Sequence, residues 1–345
     1  MRLSVLIPMY NAQKYIGNCL DSFINQDIPS EDFEIIVIDD GSTDGSANIV
    51  EAYTKKAKNI KLHKQSNTGW TNTRKRLMQM ATGDYIYKID SDDYISYNSL
   101  GTLLKLAVEN NLDVLGFESR KTIRMDLYRI ESEKTFANID ICTGVDFWSK
   151  AKNPQLGVNW YLIKRDFITK NGLTFELENN PMADTPFTFQ LFLLSKKVAF
   201  VPMDVHRYLQ VPTSISHSED PIHLKKMVGY HKALIYKLTD ILGEITKKKD
   251  SNLSGVIDSI KFWKDVNVYF MIKKLIKINV SIKFINDILK ELKNINAYPI
   301  LNFTEDKSFS KSHKIITYLF NHKYLFFICL YPLRFLFNLK LIKFE

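Results

Sequence analysis

The chain contains few cysteines and no apolar run long enough to cross a bilayer. Only three of its 345 residues are cysteine, Cys19, Cys142 and Cys329, and they lie far apart. An odd number of distant cysteines argues against a disulfide framework and for a reducing compartment. The longest strongly apolar run near the C-terminus, residues 324–333, is too short to span a membrane and contains Pro332. Since no signal peptide is apparent at the N-terminus, we expect a globular cytoplasmic protein.

Two glycine-rich motifs that hold nucleotide phosphates are also missing. The turn after the first apolar run, Pro8-Met9-Tyr10-Asn11, contains no Gly-x-Gly-x-x-Gly, and no Gly-x-x-x-x-Gly-Lys occurs in the chain. Without these glycines a pyrophosphate cannot closely approach the N-terminus of the first helix. These absences argue against a dehydrogenase, and a bound nucleotide must have its phosphates held in another way.

The first hundred residues alternate between strand-like and helix-like segments. Apolar runs with β-branched residues predict strands at residues 3–7, 33–38, 60–63 and 85–89. Helical spacing predicts helices between them, which we expect to start near Asn11, at Asp44 or Ser46, and at Thr71 or Thr73. This rhythm predicts an α/β fold with a mostly parallel sheet and helices on both faces.

Polar side chains follow each of these strands. Tyr10, Asp39, Asn67 and Asp90 each come after one predicted strand. Ligands of such sheets bind beyond the carboxyl ends of the strands. We therefore expect these side chains to line one crevice.

Three carboxylates are crowded directly after the fourth strand, in Asp90-Ser91-Asp92-Asp93. Like charges this close repel one another, and a bound divalent cation relieves the repulsion. Hard oxygen ligands suit Mg²⁺ or Mn²⁺, and a metal held in this way keeps positions open for phosphate oxygens. The alternative is a solvated acidic turn or a helix N-cap, since Asp is favoured at both.

Four motifs in this order resemble those of glycosyltransferase family 2. They are residues 4–11 (Ser-Val-Leu-Ile-Pro-Met-Tyr-Asn), residues 37–46 with Asp39-Asp40-Gly41-Ser42, residues 65–69 with Asn67 and Gly69, and residues 90–93. The resemblance is strong over residues 2–120 and weaker up to about residue 216. It implies a GT-A fold, a nucleotide-diphosphate-sugar donor and inversion at the anomeric carbon.

The resemblance also implies which residues bind the donor. Asp39 would accept a hydrogen bond from the uracil imide, which favours UDP, and Tyr10 would lie against the base. The implied donor-binding set is Pro8, Tyr10, Asp39, Asn67, Arg74, Asp90 and Ser91. Asp90 and Asp92 would hold Mn²⁺ or Mg²⁺, with Asp93 behind them, and the cation would neutralise charge on the departing UDP.

Inverting transfer also needs a base, since a sugar hydroxyl is a poor nucleophile at neutral pH. Met182-Ala183-Asp184 resembles the family's Glu-Asp pair, which implies that Asp184 is the general base. Ala183 replaces the first acid of the pair, so two alternatives stay open. Asp184 is either catalytic or only begins a helix. Residues 208–216, with Ser214 and Ile215, resemble the family segment that folds over the diphosphate.

Charge divides the chain into two parts. Residues 1–222 carry a net charge of −3 and residues 223–345 carry +12. We expect a nucleotide-sugar-binding catalytic domain in residues 1–222, followed by a basic, aromatic-rich helical region in residues 223–345. Lysines interleaved with aromatics suit an anionic membrane surface. The alternatives are nucleic-acid binding and a helical subdomain whose lysines simply face water.

From these features we expect a metal-dependent inverting glycosyltransferase. It would move a hexose or N-acetylhexosamine from a UDP-sugar to a hydroxyl of a lipid-linked glycan acceptor, during synthesis of a bacterial surface polysaccharide. We expect it to lie peripherally at the inner face of the cell membrane and to have no nucleic-acid partner. The alternatives are a non-catalytic sugar-nucleotide-binding or scaffold protein of the same fold, and a nucleic-acid-binding protein.

Overall fold

The computed structural model describes residues 2–130, 136, 138–151, 155–211, 220–302 and 311–339. The chain forms two compact units, Met1–Pro212 and Thr213–Glu345. The acidic and basic parts of the sequence, with their predicted boundary after residue 222, divide close to this point.

The first unit contains a mixed sheet of nine strands among its described residues. The strands are β1 (Leu3–Met9), β2 (Phe33–Asp39), β3 (Ile60–Lys64), β4 (Tyr85–Lys88), β5 (Tyr94–Ile95), β6 (Val114–Thr122), β7 (Ile141–Cys142), β8 (Tyr161–Lys164) and β9 (Val198–Leu209). Their order is β3-β2-β1-β4-β8-β6-β9-β5, and β7 pairs with β9. The first four strands are parallel, but β8 lies antiparallel between β4 and β6. The sheet is thus less uniformly parallel than predicted, because the strand–helix rhythm on which the prediction rests stops after β4.

Helices cover both faces of this sheet. They are α1 (Ile16–Ile24), α2 (Ser46–Lys56), α3 (Trp70–Met80), α4 (Leu100–Glu109), α5 (Gly144–Lys150), α6 (Arg165–Lys170) and α7 (Asp184–Leu194). Val5 and Ile7 of β1 belong to the same buried cluster as residues of α1 and α4. Leu6 instead faces the same small cavity as Leu77 of α3. Because helices lie on both sides of β1, the strand is apolar almost throughout.

Two helices begin elsewhere than the sequence predicts. α1 begins at Ile16 rather than near Asn11, because Asn11 has a left-handed backbone with φ of 49° and joins a neighbouring loop. Its side-chain oxygen accepts a hydrogen bond from the Thr43 N–H at 2.8 Å. α3 begins at Trp70, since Gly69, with φ of 86°, turns the chain into the helix before either predicted threonine. α2 begins at Ser46, one of the two predicted starts.

The second unit is helical in its described part. Its helices are α8 (Pro221–Thr246), α9 (Ser254–Lys277), α10 (Ile282–Asn294), α11 (Lys311–Asn321) and α12 (Lys323–Asn338). All five contribute to one buried cluster, through residues such as Ile235, Ile272, Leu289, Phe320 and Leu330. Within the described ranges, none of the helices is both long and apolar enough to cross a membrane.

Candidate active site

The sheet brings several of the predicted site residues to one edge. Strands β1, β2 and β4 are parallel neighbours, so their carboxyl ends meet there. Pro8 is half-buried near the end of β1, and Tyr10 follows the strand with 52% of its surface exposed. Asp39, the last residue of β2, is buried and accepts a hydrogen bond from the Ser42 N–H at 3.0 Å. Asp90 follows β4 at the same edge.

Asp40 links the loop after β3 to the end of β2 by hydrogen bonds. Its carboxylate accepts hydrogen bonds from the backbone N–H of Thr68 at 2.8 Å and of Gly69 at 3.0 Å. Gln65 donates to it through Nε2 at 2.7 Å. Asn67, in the same loop, is exposed. The second acid of the Asp39-Asp40 pair therefore shapes the loop that carries Asn67.

Asp90 is surrounded by positive charge. Lys88 Nζ lies 2.7 Å and Arg74 Nη2 3.2 Å from its Oδ1, and Asn159 Nδ2 donates to its Oδ2 at 3.0 Å. Burial alone would raise the pKa of Asp90, but Lys88 and Arg74 outweigh it and hold the pKa well below its usual range. Asp90 is therefore an ionised carboxylate that already has firm partners.

Asp93 also has its carboxylate fully engaged. Its Oδ2 lies 3.0 Å from His206 Nε2 and accepts a hydrogen bond from Asn159 at 3.2 Å, while its Oδ1 accepts from the Leu209 N–H at 3.0 Å. These contacts join the acidic cluster to β9. Asp93 thus holds the turn in place, which agrees with a position behind the ligands rather than among them.

Asp92 differs from both of these neighbours. No other described residue donates a side-chain or backbone hydrogen bond to its carboxylate, and both it and Ser91 are partly exposed. Burial, together with the negative charges of Asp93 and Asp90, raises the pKa of Asp92 to about 7. Of the three acids in the cluster, Asp92 has the oxygens that can accept a new ligand.

Few side chains of the candidate site are available as ligands for a divalent cation. Among the described residues, no group of three or more His, Cys, Asp and Glu side chains is arranged around one point. Mg²⁺ is commonly held by one or two carboxylates, with substrate phosphates and water completing the shell. Asp92 fits such a site as a carboxylate ligand. Asp90 as a second ligand stays a prediction, since both of its oxygens already accept hydrogen bonds.

Arg74 connects the acidic cluster to the predicted base. Its side chain is almost fully buried, and Nη1 is paired with Asp184 while Nη2 is paired with Asp90. The guanidinium carbon lies 4.3 Å from the centre of the Trp70 ring and 5.6 Å from that of Phe175. The guanidinium of Arg74, which packs against two aromatic rings, therefore fixes the distance between Asp184 and the residues after β4.

Asp184 is the first residue of α7, and Ala183 is the residue before it. Ala183 is fully buried and makes no capping hydrogen bond. An acidic side chain at that position would enter the interior, which explains in packing terms why this chain has a small apolar residue there. Asp184 thus begins the helix, and its carboxylate is also paired with Arg74.

Two residues of this arrangement were missed by the sequence analysis. Lys88 is a buried lysine two residues before the first of three acids, a pattern that could have indicated an ion pair. Asn159 lies 69 residues from Asp90 in the chain and contacts both Asp90 and Asp93, and no local pattern marks it. The predicted diphosphate-covering segment, residues 208–216, begins in β9, and its residues 212–216, with Ser214 and Ile215, lie outside the described residues.

Comparison with known proteins gives the class of the first unit. The family model of glycosyl transferase family 2 matches residues 4–175. In structure, the chain is similar to Staphylococcus aureus TarS 1-349 in complex with UDP-GlcNAc, with a TM-score of 0.61 at 21% identity over 87% of this chain and 82% of that one. This likeness shows the GT-A fold. The chain belongs to glycosyltransferase family 2.

Two curated relatives are similar to about two thirds of this chain. A poly(ribitol-phosphate) beta-glucosyltransferase of Bacillus spizizenii is 29% identical over 238 residues, which are 68% of this chain but only 34% of that protein. A cholesterol galactosyltransferase of Borreliella burgdorferi is also 29% identical over 238 residues, covering 66% of this chain and 65% of the relative. The chain is thus similar to bacterial glycosyltransferases whose names differ in both sugar and acceptor.

Proposed function

We propose that this chain transfers a hexose or N-acetylhexosamine from a UDP-sugar to a hydroxyl of a glycan acceptor, with inversion at the anomeric carbon. The observation that carries the proposal is the ion-pair chain Asp184–Arg74–Asp90, which places the carboxylate of Asp184 beside an acidic cluster at the carboxyl edge of the sheet. The printed names of the relatives, which include a glucosyltransferase and a UDP-GlcNAc complex, support this substrate class. Synthesis of a bacterial surface polysaccharide is the process that we propose it serves.

Asp184 is the base of the proposed reaction. Its carboxylate accepts the proton of the acceptor hydroxyl as the hydroxyl oxygen forms a bond to the anomeric carbon, and the bond from that carbon to the UDP oxygen breaks. Arg74 holds the carboxylate in position, because its guanidinium is itself fixed by Asp90 and by two aromatic rings. Positioning of this kind supplies a large part of the rate of a two-substrate reaction.

Asp92 would hold Mn²⁺ or Mg²⁺ in this proposal, and the bound cation would supply positive charge to the diphosphate of the leaving group. Asp39, Tyr10, Pro8 and Asn67 would bind the nucleoside, with the exposed ring of Tyr10 lying against the base. Lys88 keeps Asp90 paired and so prevents two unpartnered negative charges from facing the diphosphate.

Asp184→Asn tests the proposed base. The variant keeps the size of the side chain but cannot take a proton, so we expect transfer to fall by at least about a hundredfold. Mn²⁺-dependent binding of UDP should be retained. Glu178→Gln is the matched control, since Glu178 is an exposed acid of the preceding segment and should leave transfer unchanged. Unchanged turnover in Asp184→Asn would remove this residue from the mechanism. A wild-type protein that binds UDP but transfers no sugar would favour the non-catalytic alternative.

We further propose that the acceptor is lipid-linked and that the second unit lies on an anionic membrane surface. An exposed apolar stripe runs along α12 at helical spacing: Tyr324, Ile328, Tyr331 and Phe335 are 84%, 73%, 61% and 64% exposed. Phe326 and Leu330, on the other side of the helix, are completely buried. α12 therefore has apolar residues on its outer face as well as on the face that packs into the core.

The charges around this stripe suit anionic headgroups. Residues 307–344 contain seven Lys and Arg residues and no Asp or Glu. Lys314, on α11, and Lys323, at the start of α12, are exposed. Apolar side chains beside lysines are typical of helices that lie in the interface of a membrane, where each nearby Lys or Arg contributes about 1 kcal/mol.

A further inference from the structure

Trp70 is a large aromatic residue at the edge of the candidate active site. It is the first residue of α3, and its side chain covers the buried guanidinium of Arg74, with 4.3 Å between Arg74 Cζ and the ring centre. The same guanidinium is paired with Asp184 and Asp90. Yet 40% of Trp70 is exposed. The guanidinium thus covers part of the indole, and the exposed part of the indole, here called its open face, is the surface that a ligand can reach.

The position of Trp70 is fixed relative to the predicted base. Gly69 has φ of 86°, and a Cβ there would collide with the side chain of Asn179. Thr71, on the other side of Trp70, donates a hydrogen bond from Oγ1 to the Leu177 carbonyl at 2.8 Å. The first turn of α3 is therefore pinned to the segment that leads to Asp184. The backbone that carries the indole is therefore held beside the segment that leads to the carboxylate.

We propose that the open face of Trp70 is a stacking platform for a pyranose ring next to Asp184. A pyranose presents a face of C–H groups, and these carry the slight positive charge that the negative face of an aromatic ring attracts. A rigid tryptophan loses little conformational freedom on binding, so such a contact is favourable even at a partly exposed site. The inference rests on the proposed function, because it assumes that a sugar is transferred at Asp184.

Either of two sugars can supply this ring. The sugar of the UDP donor must reach the neighbourhood of Asp184, and so must the acceptor residue that carries the attacking hydroxyl. Both present the same chemistry to the indole. Binding measurements with and without the donor sugar separate them.

Three forms of the full-length chain are compared: wild type, Trp70→Leu and Trp70→Phe. Leucine still covers Arg74 but has no aromatic face, whereas phenylalanine keeps one. In the donor experiment, UDP, UDP-glucose and UDP-N-acetylglucosamine are titrated by calorimetry in the presence of Mn²⁺. If the donor sugar stacks, Trp70→Leu should weaken UDP-sugar binding about tenfold and leave UDP binding unchanged.

In the acceptor experiment, methyl glycosides of glucose, galactose and N-acetylglucosamine are added to protein saturated with UDP and Mn²⁺. Binding is followed by saturation-transfer NMR. If the acceptor sugar stacks, the signal of at least one glycoside should fall several-fold in Trp70→Leu and be largely retained in Trp70→Phe. Equal UDP affinity in all three proteins shows that the substitutions leave the fold intact.

The proposal is overturned if Trp70→Leu matches wild type in both experiments, since Trp70 then only shields Arg74 from water. It is also overturned if Trp70→Phe is as impaired as Trp70→Leu, because an aromatic face would then not be what matters. A wild-type protein that binds no UDP would give a different result. That outcome would overturn the proposed function itself, and this inference with it.

Discussion

Two ionised carboxylates with little exposure, Asp90 and Glu34, have different roles: one belongs to the candidate site and the other stabilises the fold. Asp90 is part of the candidate site, where Lys88 and Arg74 keep it ionised beside Asp92. Glu34, the second residue of β2, lies away from the candidate site and joins parts of the fold. Its Oε1 accepts hydrogen bonds from Ser4 Oγ at 2.7 Å and from the Thr82 N–H at 2.9 Å, and Lys61 Nζ lies 2.8 Å from its Oε2.

The network around Glu34 predicts a dependence of stability on pH. Burial would raise the pKa of Glu34, but the hydrogen bonds from Lys61, Ser4 and Thr82 outweigh it and lower the pKa to about 2. A carboxyl whose pKa is lower in the folded state stabilises that state above its unfolded pKa, and this contribution disappears as the pH falls towards the folded pKa. Glu34→Gln should therefore lower the free energy of unfolding by about 2–3 kcal/mol at pH 7.

The difference between wild type and Glu34→Gln should shrink as the pH falls from about 5 to about 3, because wild type then loses the contribution that the variant lacks. Urea unfolding at several pH values measures this difference. Glu109→Gln, at an exposed end of α4, serves as the control and should match wild type throughout. A difference that stays constant over this pH range would show that Glu34 does not titrate as described.

The local sequence predicts the strands better than it predicts the contacts of the candidate site. The apolar runs of β1, β2 and β4 predict parallel neighbours because each is buried on both faces, and Asp39 and Asp90 follow directly from where those runs end. The contact between Arg74 and Asp184 could not be predicted in this way, since the two residues are 110 positions apart. The role of Asn159 could not be predicted from local sequence either. Asn159 lies just before β8, and it reaches the acidic cluster because β8 pairs antiparallel with β4.

The outer face of α12 leads to a prediction about membranes. Wild-type protein should float with vesicles that contain an anionic lipid such as phosphatidylglycerol, and much less with purely zwitterionic vesicles. Replacing Tyr324, Ile328, Tyr331 and Phe335 together by Gln should abolish flotation, since each buried apolar side chain contributes about 1.5–3 kcal/mol. These positions are exposed, so the helix should remain folded.

Ile123→Gln is the matched control for this experiment, because Ile123 is 80% exposed and lies in the first unit. It should float like wild type. If the fourfold variant floats equally well, the stripe on α12 is not the membrane-binding surface. Equal flotation with anionic and zwitterionic vesicles would argue against a role for the basic segment.

At the scale of the whole molecule, the two halves of the sheet contribute different parts of the site. The parallel half, β3-β2-β1-β4, supplies Asp39, Asp90 and Asp92 at its carboxyl edge. The mixed half and its helices supply Asn159, Asp184 and His206. The candidate site therefore lies at the carboxyl ends of β1 and β4, between which the strand order reverses, and ligands of open α/β sheets bind at such a point.

We propose that Asp92, through a bound divalent cation, holds the diphosphate of a UDP-sugar. The most direct test is a calorimetric titration of UDP into the full-length protein, with Mn²⁺ and after removal of metal, for wild type, Asp92→Asn and the exposed control Asp166→Asn. We expect wild type and Asp166→Asn to bind UDP at least about tenfold more tightly with Mn²⁺ than without it, and Asp92→Asn to lose this gain. Equal UDP affinity with and without metal in wild type, or an undiminished metal effect in Asp92→Asn, would contradict the account.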